Sequence, residues 1–526
     1  MGPDRSPLGQ RETTVHNETH VLPDLCNARH RNGGEDRTLA RFFKYKTPEA
    51  LSEDARNRGL EIRIQNDFEP LTRPVQVGNR IVGNRLAIQP MEGCDGDLDG
   101  RAGPLTLRRY QRFGSGGAKL IWVEACAVVP EGRANPRQLM ISPAHVESLR
   151  AILDTIRQAH RQAFGRDDDL LVGLQLTHSG RYSYKKPILA QHHPLLDART
   201  YLDKAAGRLV RPSDPLISDE ELDRLQLHYA TAALLAYRIG FDFVDLKQCH
   251  GYLLNELLGA RGRPGKYGGT FFNRTRFIRD VVMRIRREKP DALIATRLNL
   301  SDGLPYRHGG PDDQGIPEDY QSPYLCAWGV DESNPLKMDF DEPLELIAQL
   351  RELGVGLVNV TLGNPYANPH WGRPFEFPPT DGYESPEHPL EGVARHLVAA
   401  ATVQRAFPDL AVVGTGYSWL QEFAFHVGAA QVAAGDVTFM GYGRGALAQP
   451  DFAARILAGK PLERKRICRT FSYCTGLMRS KNNQYGQLPS GCPPFDKEVY
   501  GPIWDQAEFN PDRDHRTERP ATVAAP

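Results

Sequence analysis

The sequence predicts an eight-stranded parallel (β/α)8 barrel of the TIM type, and three observations lead there. From about residue 75, eight short apolar runs alternate with amphipathic helical patterns. Links from a helix to the next strand are short (Gly240, 289–291, Gly354, Gly435), whereas links from a strand to the next helix are long (178–217, 301–342, 363–390). The last two strands both run into glycine, as Val413-Gly414-Thr415-Gly416 and Met440-Gly441-Tyr442-Gly443-Arg444. In such a barrel the elaborated face beyond the strand C-termini carries the chemistry. An open doubly wound sheet is the competing arrangement, because periodicity does not show closure.

The strand candidates in order are 86–91, 120–125, 170–176, 241–247, 293–298, 357–362, 411–414 and 437–440. Several helices between them carry start signals. Ser142-Pro143 sets a cap before a first-turn proline, and Leu149, Ile152, Leu153 and Ile156 recur at helical spacing. Ser218 and Glu221 form a capping box ahead of Leu222, Leu225 and Tyr229. Asp341-Glu342-Pro343 opens a helix with Leu346, Ile347 and Leu350 on one face. The resulting division is an N-terminal extension over 1–65, flexible at its start, a barrel over 66–465 with long βα-loop insertions, and a C-terminal tail over 466–526. The long links are rich in aromatics and histidine (His192, His193, Tyr366, His370, Trp371), as a lid or an oligomer contact would be.

Composition excludes several classes. With 526 residues, 40% of them apolar, the chain can bury a large core. Lys+Arg and Asp+Glu are both 65, so no global field attracts nucleic acid or an anionic membrane. No apolar run approaches the roughly 20 residues needed to span a bilayer, and the start has no signal-peptide pattern. Met1-Gly2 with Ser6 matches a myristoylation pattern by chance, Pro3 being a poor fit. A cytoplasmic protein acting on small molecules, with self-association into a homo-oligomer left open, is the expectation. The eight cysteines (Cys26, Cys94, Cys126, Cys249, Cys326, Cys468, Cys474, Cys492) form no C-x-x-C pair, so reduced thiols are expected and no metal site.

Chemistry concentrates at strand ends. Strand four runs into Lys247, His250 and Tyr252; strand three offers Gln175, His178 and Arg181; strand five offers Arg297. An arginine leaving an apolar strand needs an anion, a polarised carbonyl or a neighbouring acid such as Asp245 or Glu124. The glycines of strands seven and eight, with Arg444, suit a phosphorylated ligand, since bare backbone N–H groups and a guanidinium fork can face the anion there. No G-x-G-x-x-G follows the first strand, so a Rossmann nucleotide site is not supported.

The segments NRIVGNRLAIQPMEG, GGAKLIWVEACAVVPEGR, VGLQLTHSGR, VDLKQCHGYLLNELL, YGGTFFNRTRF, TRLNLSD, VVGTG and MGYGRGALAQPDF together resemble the old yellow enzyme family of NADH:flavin oxidoreductases. The resemblance runs from about residue 79 to 464, in register through all eight strands. It implies an FMN-dependent (β/α)8 barrel that passes a hydride from NADH or NADPH through flavin to a carbonyl-conjugated alkene. It further implies that Pro90, Met91, Glu92 and Ala125 approach the flavin and that Gln175 bonds its pyrimidine edge. Arg297 then lies near the flavin N1 and C2 carbonyl, and Gly414, Gly416, Gly443 and Arg444 bind the phosphate. His250 and Tyr252 match the family's second carbonyl donor and its proton-delivering tyrosine. The first donor, usually histidine, is Lys247, and the usual small polar or thiol residue is Glu92. These two departures point to one alternative, a flavin-dependent dehydrogenase of a charged small molecule. From a different class come a Lys247 Schiff-base lyase or aldolase-like barrel and a catalytically silent flavin-binding protein. Larger members of the group carry an iron–sulfur cluster and further nucleotide domains; this chain lacks their closely spaced cysteine run.

Overall fold

Eight parallel strands close on themselves in strict sequence order in the computed structural model, which describes residues 42–379 and 381–507. They are β1 (Leu86–Ile88), β2 (Leu120–Ala127), β3 (Leu171–Thr177), β4 (Phe243–Leu246), β5 (Leu293–Asn299), β6 (Val355–Thr361), β7 (Ala411–Gly414) and β8 (Phe439–Tyr442). β8 pairs with β1 through Met440–Leu86 and Tyr442–Ile88, which excludes the open sheet. The principal outer helices are α1 (Pro104–Gly114), α2 (Val146–Phe164), α3 (Asp219–Ile239), α4 (Arg276–Glu288), α5 (Asp341–Glu352), α6 (Pro389–Ala406), α7 (Ala424–Ala433) and α8 (Phe452–Leu457).

Local sequence explains the elements. Every residue of β2 and β3 is buried, as strands covered on both faces require. α3 begins on the Ser218–Glu221 capping box and ends at Gly240, whose φ of +113° only glycine adopts without strain. Ser142 caps a 3-10 turn, Pro143–His145, that leads into α2. The α4 face Phe277, Ile278, Val281, Val282 and Ile285 is buried. β1 stops at Ile88, short of the expected 91, because Pro90 has no N–H to give a ladder. The segment from Gln89 to Glu92 is thereby freed to line the mouth.

A short hairpin, Val75–Val77 with Arg80–Val82, closes the N-terminal end: Val77 and Val82 pack with Leu120, Trp122, Leu171, Phe243 and Phe439. The opposite end is the elaborated one. Its long links carry two further hairpins, Tyr201–Asp203 with Arg208–Leu209 and Tyr306–His308 with Gly315–Pro317. His193, His370 and Trp371 from these links are buried, whereas Tyr366 stays 41% exposed.

The C-terminal tail packs on the barrel. Asp496 receives a bidentate pair from Arg108 of α1 at 2.7 and 2.9 Å, and the Ser490 N–H donates to the Gly93 carbonyl at 2.7 Å. Leu477, Leu488, Tyr500 and Ala507 form its own small core. Of the extension expected over residues 1–65, residues 1–41 lie outside the described residues, and the remainder carries a short helix, Pro48–Asn57. Among the described residues no helix is long and apolar enough to cross a membrane, and the seven cysteines there are free.

Candidate active site

A cavity of about 250 Å³ opens at the C-terminal mouth of the barrel. Its walls come from the exits of β1, β4, β5, β7 and β8, from the β6–α6 link, and from the tail. Pro90, Met91, Glu92, His250, Arg297, Gly416, Gly443 and Arg444, all singled out in the sequence, line it together. Ala125, Gln175, Gly414, Lys247 and Tyr252 do not line it. The Gly414 carbonyl accepts from Gln89 Nε2 at 3.2 Å and the Ala125 carbonyl from Gln138 Nε2 at 3.1 Å, one layer behind the wall. Gln175 Nε2 donates to Asp245 Oδ2 at 2.6 Å, and Asp245 also receives the Trp122 indole N–H and the Arg297 backbone N–H. Burial raises the Asp245 pKa, and these donors oppose that rise.

One end of the cavity is cationic. The Arg373 guanidinium donates to Thr475 Oγ1, while its Nε and Nη2 are buried without partners. Arg444 Nη2 donates to the Pro374 carbonyl at 2.6 Å, and its Nη1 is likewise unpartnered. Burial, then the neighbouring charges of Arg444 and Arg479, lower the Arg373 pKa to about 9. Two crowded guanidiniums with three unspent nitrogens call for an anion. Gly443 supplies bare backbone beside them: a Cβ there would meet nothing nearer than 3.7 Å, so any side chain would grow into the cavity. Gly416, at φ +92°, holds the turn after β7, where a Cβ would strike His396 at 2.9 Å.

The middle of the cavity is marked by Arg297, whose Nε has no partner and whose Nη1 reaches the Pro90 carbonyl only at 3.4 Å. Its side chain meets neither Asp245 nor Glu124: Asp245 bonds its backbone, and Glu124 is held by Arg109 at 2.5 Å. His250 is half-buried at φ +66° with Nε2 3.5 Å from Thr361 Oγ1. Burial, followed by Arg297 and Lys247, depresses its pKa and keeps the imidazole neutral.

Behind the Glu92 wall the charges are balanced. Lys247 Nζ lies 3.6 Å from Glu92 Oε1 and 3.6 Å from the centre of the Tyr252 ring. Tyr252 Oη donates to the same Glu92 oxygen at 3.3 Å, and Gln138 Nε2 does so at 3.3 Å. Burial and then Glu92 raise the Tyr252 pKa, while burial lowers that of Lys247 against the pull of Glu92. Behind Glu92, the Gly93 N–H donates to Glu124 at 2.6 Å and Arg109 bridges Glu124 and Asp95, pinning the segment.

Sequence reasoning missed Arg373, Cys474, Thr475, Met478 and Ser490, all of which line the cavity from the β6–α6 link or the tail. No periodicity marks those stretches. Arg297 is singled out as an arginine leaving an apolar strand, whereas Arg373 sits in a link and carries no such mark.

FMN fits these residues. Its phosphate meets the chemistry of Arg373, Arg444 and the Gly443 backbone, and its electron-rich ring edge that of Arg297. A model of the NADH:flavin oxidoreductase / NADH oxidase family matches residues 70–312. Over those residues the chain is similar to this family. An NADPH dehydrogenase of Bacillus pumilus is 32% identical over 239 residues, which cover 45% of this chain and 64% of that protein. The chain thus spans 64% of the length of the curated relatives it matches first. The old yellow enzyme of Trypanosoma cruzi aligns with a TM-score of 0.53 at 19% identity, over 77% of this chain and 96% of that one. A 2-naphthoyl-CoA reductase complexed with 2-naphthoyl-CoA aligns at 0.59 and 16%, over 84% and 58%. At such identities the likeness is one of fold.

Proposed function

We propose that the protein is an FMN-dependent oxidoreductase that uses NADH or NADPH to reduce carbonyl-conjugated alkenes. The observation that carries this reading is the row of unspent guanidinium donors, Arg444 and Arg373 at one end and Arg297 in the middle, leading to a neutral histidine. Bound FMN supplies two-electron transfer between a nicotinamide and the substrate. Arg373, Arg444 and the backbone of Gly416 and Gly443 hold its phosphate. Pro90, Met91 and Arg297 bear on its ring, with Ala125, Gln175 and Gly414 in the layer behind.

His250 donates a hydrogen bond to the substrate's carbonyl oxygen, where negative charge grows as the alkene is reduced. Tyr252 gives a proton to the α-carbon as general acid. Lys247 and Glu92 neutralise one another, so the substrate they face is an uncharged one rather than the charged molecule of a dehydrogenase. The same pairing disfavours a Schiff base: a Lys247 ammonium held by Glu92 and the Tyr252 ring is not a free amine.

Colour and bleaching test the proposal. Purified protein is expected to be yellow, to release FMN on denaturation, to bleach with NADH or NADPH without air, and to regain colour on adding 2-cyclohexenone. Colourless protein that gains no colour from added FMN would refute it.

A further inference from the structure

Glu92 and Lys247, the two departures from the family pattern, are far apart in sequence but share one contact in space, and that contact includes Tyr252. The Glu92 Oε1 atom is common to all of it: 3.6 Å from Lys247 Nζ, 3.3 Å from Tyr252 Oη and 3.3 Å from Gln138 Nε2. The Lys247 and Glu92 side chains are only 6% and 12% exposed. Tyr252 is 3% exposed and does not line the cavity, whereas Glu92 does, so the phenol's path to water runs through this cluster.

We infer that Lys247 and Glu92 form a proton relay that refills Tyr252. The inference rests on the alkene-reductase reading above. When the Tyr252 O–H bond breaks and its proton forms the new C–H bond of the substrate, the phenolate lies beside the Lys247 ammonium, which stabilises it across the ring face. One Lys247 N–H bond then breaks, and its proton reaches the phenolate by way of Glu92 Oε1. Glu92 begins and ends as a carboxylate. The neutral amine regains a proton from solvent by way of Glu92, which lines the cavity, so the relay moves one proton and no electrons. Tyr366 Oη, 3.5 Å from Tyr252 Oη on a residue with 41% exposure, marks the side on which this cluster meets water.

Other groups bear on the relay's titration. Around Tyr252 these are Glu92, Tyr366 and Cys94; around Lys247 they are Glu92, Cys249, Arg297 and Asp245. The relay also accounts for histidine being replaced at position 247. A lysine whose hold on its proton is weakened by burial can donate and still neutralise Glu92.

The test separates the two half-reactions in the FMN-loaded enzyme. Glu92→Gln and Lys247→Met should each slow reoxidation by 2-cyclohexenone about tenfold or more, while reduction by NADPH changes far less. In the wild type that reoxidation should show a solvent deuterium effect and a fall with rising pH, and Glu92→Gln should flatten the pH dependence. The decisive variant is Glu92→Gln/Lys247→Met. A relay leaves it as slow as either single change, whereas mere charge balance restores the rate. Recovery in the double variant, or equal loss in both half-reactions, overturns the relay. In the flavin-free protein, Glu92→Gln should also lower the Tyr252 phenol titration seen by ultraviolet difference, with Tyr252→Phe as blank; an unmoved titration counts against the contact. Failure of wild-type enzyme to bleach or to reoxidise would instead sink the reductase reading itself.

Discussion

The arginine end of the mouth cavity and the cluster behind its Glu92 wall use charge in opposite ways. At the arginine end Arg373 and Arg444 crowd together with three guanidinium nitrogens unpartnered, and Gly443 beside them, just after β8, leaves room. In the cluster, Glu92, Lys247, Tyr252 and Gln138 satisfy one another around a single carboxylate oxygen. An unfinished set of donors is costly to bury and marks where a ligand brings its own charge. A finished set needs no ligand charge and is suited to moving a proton within itself. On the function proposed above, the arginine end would govern affinity for the cofactor, and the balanced cluster would govern turnover.

The sharpest way to break this contrast is to remove the open charge. Arg373→Ala/Arg444→Ala should weaken FMN binding about 1000-fold, since two charge-assisted contacts contribute about 2 kcal/mol each and every 1.4 kcal/mol is tenfold. Quenching of FMN fluorescence on titration with flavin-free protein measures it. A loss under about threefold would mean that the phosphate lies elsewhere.

Acid should loosen the same end. His396 is buried behind Gly416, with Nε2 2.9 Å from the Trp371 carbonyl and Nδ1 2.9 Å from Thr415 Oγ1. Burial, then Arg395, lowers its pKa to about 3. Its folded value lies below the unfolded one, so the unfolded chain takes a proton that the native ring refuses, and stability falls as pH drops below about 6.5. By pH 5 the loss is about 2 kcal/mol from this group, at 1.36 kcal/mol per unit. His396→Gln removes that share, so urea unfolding of wild type and variant should differ more in slope between pH 7 and 5 than at pH 7 alone. Parallel curves would show that His396 titrates normally.

Legibility in the sequence followed the same divide. Strand-borne features were readable, because an apolar run with a polar end has a period and a direction: all eight strands were found, and Arg297, His250, Gly443 and Arg444 meet in one cavity. The strand limits were less sharp, β1 ending early at Pro90 and β8 starting two residues late. What was unreadable comes from segments without periodicity. Arg373 sits in a link, and Cys474, Thr475, Met478 and Ser490 sit in a tail that no pattern joined to the site. The family match ends at residue 312, so Arg373, Gly416, Gly443 and Arg444 of the arginine end lie wholly beyond it. The Glu92–Lys247 pairing was visible only as two anomalies, and their contact needed coordinates.

The smallest predicted effect tests whether the balanced cluster is independent of the arginine end. Gln138 Nε2 bridges Glu92 and the Ala125 carbonyl, while its Oε1 accepts the Ala134 N–H at 2.6 Å. Gln138→Ala leaves those groups short of a neutral partner and should cost about 1 kcal/mol of stability, read as a lower urea midpoint. FMN affinity should not move, because Gln138 touches nothing at the arginine end. Reoxidation should slow slightly, since Glu92 is held less firmly below Tyr252. A large drop in FMN affinity would show that the two are coupled through the β1 exit, and that affinity and turnover are not separable in this cavity.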